Sequence, residues 1–227
     1  MVIIEDLTIG YDSNKPLVSI DKFTVNPGEV IVLTGESGIG KTTLLKTIAG
    51  LIEPISGKVT APEKRGELGY IPQNLGLVRH ATVMHNVMLG ANAGHKQFWT
   101  PLPSSIAKDS ALDAIDSLGI SNYKFKIVRR LSGGERRRVA TARTLAQKPK
   151  LILADEFLSE LDEQTKEKVQ SEVLNYITNN NSSIIIVEHD LIRAKEMSDR
   201  LFMISDGKLK EHLTEEKSIS SVANEEE

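Results

Sequence analysis

The chain has 227 residues, room for one large domain that buries roughly 70–75% of its unfolded surface, so its core needs no disulfide or metal staple. It has no Cys, which excludes a disulfide framework, a Cys-ligated zinc site and a Cys nucleophile. With 28 Lys+Arg against 31 Asp+Glu, a net charge of −3 and 4% aromatics, there is neither the charge nor the stacking surface expected of a nucleic-acid binder.

The first seventy residues alternate short apolar runs with turn signals. Val2–Ile4 and Leu7–Ile9 read as strand pieces before the turn-rich stretch from Gly10 to Pro16. Leu17–Val25 is a further strand, and Val30–Leu33 is an unbroken apolar one, as expected of a parallel strand buried on both faces. A Gly-rich loop leads into a predicted helix over Lys41–Ala49, with Gly50 placed to end it. Lys58–Thr60 and Leu68–Ile71 complete an α/β pattern.

From about Ala81 to Gln147 no strand is predicted. Met84, Val87 and Met88 share one helix face, and Gly90–Pro103 reads as a loop. Ser104–Leu118 is helical, with Ile106, Leu112, Ile115 and Leu118 as its apolar residues and Gly119 as its stop. Glu135–Ala146 is an Arg-rich helix; the cluster Arg129, Arg130, Arg136, Arg137 and Arg138 reads as a solvated face. Strands return at Leu151–Ala154, Ser183–Val187 and Leu201–Ile204, with a helix over Asp162–Thr178 (inner side Val169, Val173, Leu174, Ile177) and a tight turn at Ser205–Lys208. The Glu- and Ser-rich tail from Leu213 to Glu227 reads as frayed. No apolar run reaches the roughly 18–20 residues that span a bilayer, and Glu5 and Asp6 stand where a signal peptide would carry bases. The expectation is a soluble, cytoplasmic chain without direct membrane insertion.

Three motifs carry chemistry. Gly35-Glu36-Ser37-Gly38-Ile39-Gly40-Lys41-Thr42 fits the phosphate-binding pattern G-x-x-x-x-G-K-[ST] between a buried strand and a helix. Glycines there let backbone N–H groups converge on a phosphate, the lysine reaches the β- and γ-phosphates, and the threonine hydroxyl can ligate Mg²⁺. Asp155 and Glu156 end an apolar strand, where an Asp can hold the metal and a Glu can take a proton from water. Ser132-Gly133-Gly134-Glu135 opens a helix as a second anion site, one that would serve a partner's nucleotide, and it also fits a plain capping box. His80, His85 and His95 match no metal-ligand spacing.

The order of these motifs resembles the nucleotide-binding domain of ABC (ATP-binding cassette) transporters from Met1 to about Lys210. The resemblance implies an α/β fold: a P-loop NTPase core with a mostly parallel sheet, an N-terminal antiparallel β part and an inserted α-helical subdomain. One domain over 1–227 is implied, with a catalytic core of 1–73 and 150–212, a helical subdomain of 74–149 and a tail of 213–227. It implies that Tyr11 stacks on adenine and that Gly35 to Thr43 cradles ATP. Gln73 senses Mg²⁺ and the membrane partner, and Asp155 is the Mg²⁺-organising acid beside Thr42. Glu156 is the catalytic base and His189 the switch at the γ-phosphate. Ser132, Gly133 and Gly134 bind the nucleotide of a second cassette, and Ser159-Glu160-Leu161-Asp162 crosses to it.

Implied partners are separate transmembrane permease subunits and a second ATP-binding subunit, identical or not, on the inner face of the cell membrane. A non-transport ABC ATPase of DNA repair, chromosome organisation or translation is the alternative, and the lack of a coiled coil, of Cys and of a second cassette weighs against it. A small-molecule kinase shares only the phosphate loop. Departures from the family are Phe157-Leu158 in place of Pro-Thr, Glu160 in place of Ala, and Glu188 before His189 in place of Thr. Phe157 and Glu160 bear on coupling between subunits. The stretch Leu77–Gly90 with Phe98 and Trp99 is similar to phosphonate-type importer ATPases, and Ile152–Glu156 to lipoprotein-release and efflux cassettes.

Overall fold

A computed structural model describes residues 1–95 and 105–212. Strand β1 (Val2–Ile9) joins the two expected pieces into one, because Asp6 takes a left-handed conformation (φ 47°) where the pairing shifts register. After β1 come β2 (Val18–Val25), β3 (Val30–Thr34), α1 (Lys41–Ile48), β4 (Ser56–Thr60) and β5 (Leu68–Ile71). Helices α2 (Val83–His95), α3 (Ser105–Ser117) and α4 (Gly133–Ala146) lie between β5 and β6 (Leu151–Asp155). The chain continues through α5 (Glu163–Asn180), β7 (Ser183–Val187), α6 (Leu191–Met197), β8 (Arg200–Ser205) and β9 (Lys208–His212). Sequence patterning missed β9, beyond the expected turn, and α6, a short helix whose signal is its Asp190 cap, which accepts from the amides of Ile192 and Arg193.

The described strands form one sheet in the order β4-β1-β2-β9-β8-β3-β7-β6-β5. Pairs β8·β3, β3·β7, β7·β6 and β6·β5 are parallel, whereas β4·β1, β1·β2 and β8·β9 are antiparallel. The expected mostly parallel sheet and N-terminal antiparallel part are therefore both present. The β8–β9 turn has positive φ at Asp206 (51°) and Gly207 (68°), the pairing that a two-residue hairpin with the strands' own twist demands.

Each central strand feeds two cores. Val30 and Val32 face the helices α2–α5, while Ile31 and Leu33 face α1 and the antiparallel part. Ile152 and Ala154 alternate with Leu151 and Leu153 in the same way, and Ile184 and Ile186 with Ile185 and Val187. No helix of the described residues is long and apolar enough to cross a membrane.

The helical insertion corrects three expectations. Gly90 begins no loop: α2 runs on to His95, and residues 96–104, with Phe98 and Trp99, lie outside the described part. A Cβ on Gly90 would stand 1.9 Å from the Arg143 carbonyl oxygen and one on Gly94 1.9 Å from that of Gln147, so these glycines let α2 and α4 touch backbone to backbone. On α3 the buried face is Ala107, Ser110, Ala111, Ala114 and Ile115, while Ile106 is 56% exposed. Small residues win that face because α3 also packs closely on its neighbours. The Arg cluster is not uniformly solvated: Arg137 is 2% exposed. The tail from 213 lies outside the described residues.

Gly90→Ala should destabilise the fold by about 1–3 kcal/mol, the usual cost of overpacking, as a lower urea midpoint; an unchanged midpoint would show that the two backbones are not in contact.

Candidate nucleotide site

Four neighbouring parallel strands, β3, β7, β6 and β5, end at one edge of the sheet. β3 delivers the loop from Gly35, β7 delivers His189, β6 delivers Asp155 and Glu156, and β5 delivers Gln73. Motifs separated by more than a hundred residues thus meet at strand C-termini, where open α/β sheets bind ligands.

The loop has its glycines where no other residue fits. Gly35 has φ 137°, and a Cβ on it would lie 2.7 Å from the Ile204 carbonyl oxygen of β8. Gly40 has φ 116°, and its Cβ would lie 2.9 Å from Val18 Cγ2. Gly38 (φ 79°) faces open space. Gly40 is also the N-cap of α1 and offers no side-chain acceptor, so no cap engages the helix's first N–H groups. Lys41 is 6% exposed, and its Nζ donates to the carbonyls of Gly35 (2.7 Å) and Glu36 (2.6 Å). Burial pulls its pKa below the usual lysine value, opposed by Glu156 and Asp155.

Beside the lysine, Thr42 Oγ1 donates to Asp155 Oδ2 at 2.8 Å. Asp155 is fully buried, and its Oδ1 has no hydrogen-bond partner. Burial raises the Asp155 pKa, the Thr42 bond lowers it, and Glu156 raises it further. Glu156 adopts a left-handed backbone (φ 53°) unusual for its residue type. Its Oε1 lies 2.9 Å from His189 Nε2, and its Oε2 accepts from Gln73 Nε2 at 3.1 Å. Tyr11 is 71% exposed and lies on the outer side of the loop, its hydroxyl 3.5 Å from Thr43 Oγ1.

The second anion motif is elsewhere. Ser132 caps α4 with its hydroxyl accepting from the Glu135 amide (3.2 Å), and Glu135 Oε2 accepts from the Ser132 amide (2.7 Å), a complete capping box. A cleft of about 280 Å³ opens there, lined by Ser132, Gly133, Gly134, Glu160, Leu161 and Asp162 among others, and no residue of the Gly35–Thr43 loop lines it.

Sequence reasoning missed the arginines that hold the backbone from Gln73 to Gly76. Arg137 Nη1 reaches the Gln73 carbonyl oxygen at 3.4 Å, and Arg143 donates to the carbonyls of Gly76 and Leu75, each at 2.7 Å. Their helical spacing resembles that of any charged face, so only their burial reveals them. Tyr70 is the other missed residue. Its hydroxyl is buried without a partner, and burial, with Asp155 and Tyr11 nearby, pushes its pKa up to about 12. Phe157 and Leu158 are core residues, 1% and 2% exposed, behind the site.

A glycine loop on a helix start, with a buried lysine and strand-end acids, defines a nucleoside-triphosphate-binding α/β protein. The ABC transporter family profile matches residues 18–159. The phosphonates import ATP-binding protein PhnC 1 of Ruegeria sp. is 34% identical over 225 residues, covering 92% of this chain and 87% of that one. PhnT of Salmonella typhimurium, named for 2-aminoethylphosphonate import, is 33% identical over 221 residues, 93% of this chain. The chain spans 58% of the length of that relative. Among solved structures, a dimeric ATP-binding cassette in a post-hydrolysis state with ADP and Pi superposes with a TM-score of 0.83 at 25% identity, covering 93% of this chain and 98% of that one. An inward-facing metal-chelate type ABC transporter gives 0.81 at 25% identity, covering 98% and 88%. The chain belongs to the ABC transporter family, and its fold is that of the family's ATP-binding cassette.

Asp155 titrates higher in the fold than unfolded, so its ionised form opposes folding at neutral pH and this cost vanishes as acid protonates it. Asp155→Asn should raise the nucleotide-free stability at pH 7, and thermal melts should show the gain narrowing as the pH drops into the carboxylate range. A lower melting temperature than wild type at pH 7 contradicts this account of the buried acid.

Proposed function

We propose that this chain is the ATP-hydrolysing subunit of an ABC importer, driving separate transmembrane permease subunits from the inner face of the membrane. The observation that carries the proposal is the convergence of Lys41, Thr42, Asp155, Glu156, Gln73 and His189 on one sheet edge. Import is favoured by the relatives, named for phosphonate and for spermidine/putrescine uptake.

The donor set suits Mg²⁺: a hydroxyl, a buried carboxylate with an unused oxygen and an amide, all hard oxygen ligands. Thr42, Asp155 and Gln73 would hold it, and there it would supply positive charge to offset that of the phosphates. The Gly35–Thr43 loop wraps the phosphates with its N–H groups and the start of α1. Lys41 exchanges the carbonyls of Gly35 and Glu36 for phosphate oxygens, and its buried charge makes that exchange favourable. Tyr11 stacks on the base. Glu156 accepts the proton of the attacking water, and His189, 2.9 Å away, orients that carboxylate and the γ-phosphate. Catalysis is positioning and charge stabilisation, with no covalent step.

Because Ser132, Gly133 and Gly134 line a separate cleft, they act on the nucleotide of a second cassette, so each ATP is sandwiched by two chains. ATP binding closes the pair and hydrolysis releases it. The chain works as one cassette, with a catalytic core of 1–73 and 150–212 and a helical subdomain of 74–149 that faces the permease. A non-transport role finds no support in the relatives' names.

Glu156→Gln should bind ATP with undiminished affinity, lose at least about 10²-fold in turnover and accumulate as an ATP-dependent dimer in sizing experiments. Chains that stay monomeric with saturating MgATP would sink the sandwich. Ser132→Ala in that background should abolish pairing while ATP still binds, with a cap loss of about 1 kcal/mol; normal pairing would place the second site elsewhere.

A further inference from the structure

Glu160 stands apart from the acids at the sheet edge. It follows β6 in a left-handed conformation (φ 62°), and its side chain folds back onto the first turn of α4. A Cβ on Gly133 would lie 2.1 Å from Glu160 Oε2, so the carboxylate lies in space that only a glycine at 133 leaves open. Gly134 is equally close to the same loop: its Cβ would lie 3.1 Å from the Glu160 carbonyl oxygen and 3.0 Å from Leu161 Cδ2. Glu160 Oε1 is 3.5 Å from Arg137 Nη2. Arg137 is buried and its Nε has no partner, so its fork faces Glu160 on one side and the Gln73 carbonyl on the other.

We infer that Glu160 is a resident anion at the Ser132-Gly133-Gly134 turn, which must leave before a second cassette's nucleotide can place its phosphate there, and that Arg137 is the positioning residue holding it. The inference rests on the sandwich reading above. The amino end of a helix favours negative charge, and a carboxylate resting on Gly133 takes up that preference in the single chain. A phosphate arriving at the same turn meets a like charge at contact distance, and pairing is disfavoured until the acid swings away. The Glu160 side chain is 60% exposed, so it has room to swing. Arg137 then loses its ion-pair partner. The charges it still feels are those of Glu156 and Asp155, and its remaining bond is to Gln73, so the release is sensed at the catalytic edge. Glu160 thus sets how much nucleotide the pair requires.

The test uses the full chain with Glu156→Gln, titrated with MgATP while dimer is followed by light scattering. Adding Glu160→Gln, which keeps the shape and removes the charge, should lower the MgATP needed for half-maximal pairing about tenfold, and Glu160→Ala should do the same. An unchanged or raised requirement with Glu160→Gln overturns the inference, as does a drop with Ala alone, which would mean bulk rather than charge. The sandwich reading fails separately and first: if no variant pairs at any MgATP concentration, with Glu160 native or replaced, both ideas fall.

Discussion

The burial of β3, β7 and β6 on both faces is the constraint from which the site follows. Val30–Thr34, Leu151–Asp155 and Ser183–Val187 have no exposed residue, as parallel strands covered by helices above and below require, and they pair in parallel, side by side. Parallel strands share a direction, and their C-termini therefore share an edge. Asp155, Glu156, Gln73 and His189 lie at a strand end or within two residues of it, and Lys41 and Thr42 follow β3 across the glycine loop. The local geometry then needs little else: three glycines to bend one loop, and left-handed Glu156 to turn another.

A second layer of order comes from α4. Its amino end carries the Ser132 capping box, its middle meets α2 through Gly90 and Gly94, and Arg137 and Arg143 grip the backbone from Gln73 to Gly76. The helix is therefore connected to the Ser132 cleft, to the sheet edge and to the segment between core and insertion. A displacement of α4 moves the Gln73 loop with it, because the carbonyls held by Arg143 are each 2.7 Å from its guanidinium. That is a physical route for coupling between the helical insertion and the sheet edge, built from hydrogen bonds rather than from proximity alone.

Much of this was legible in the residues. Continuous apolar runs identified β3, β6 and β7, turn chemistry identified the β8–β9 hairpin, and the spacing from Gly35 to Thr42 identified the phosphate loop. The misreadings have one cause in common. Gly90 and Gly94 read as loop signals because sequence shows the cost of glycine in a helix and hides the neighbouring backbone that makes it necessary. Ile106 counts among the apolar residues of its helix yet stays exposed, because hydrophobicity is visible in sequence and the closeness of packing, which selects Ala107, Ala111 and Ala114, is not. Arg137 was read as solvated because burial of a cation depends on partners more than sixty residues away at Gln73 and more than twenty away at Glu160. Local propensity is written in the chain; close approach and long-range pairing are written only in the fold.

Phe157 gives the site a mechanical property. It follows Glu156 directly, is 1% exposed, and lies with Leu158 and Leu161 in the core behind the site. The Glu156 carboxylate is thus mounted on a nailed-down backbone, and its travel is limited to rotation about its own side-chain bonds. An acid fixed in this way cannot follow its reactants. Under the proposed function, the pace is then set by what is brought up to Glu156, from its own loop and from across the proposed pair, and the acid itself serves as the stationary reference mark.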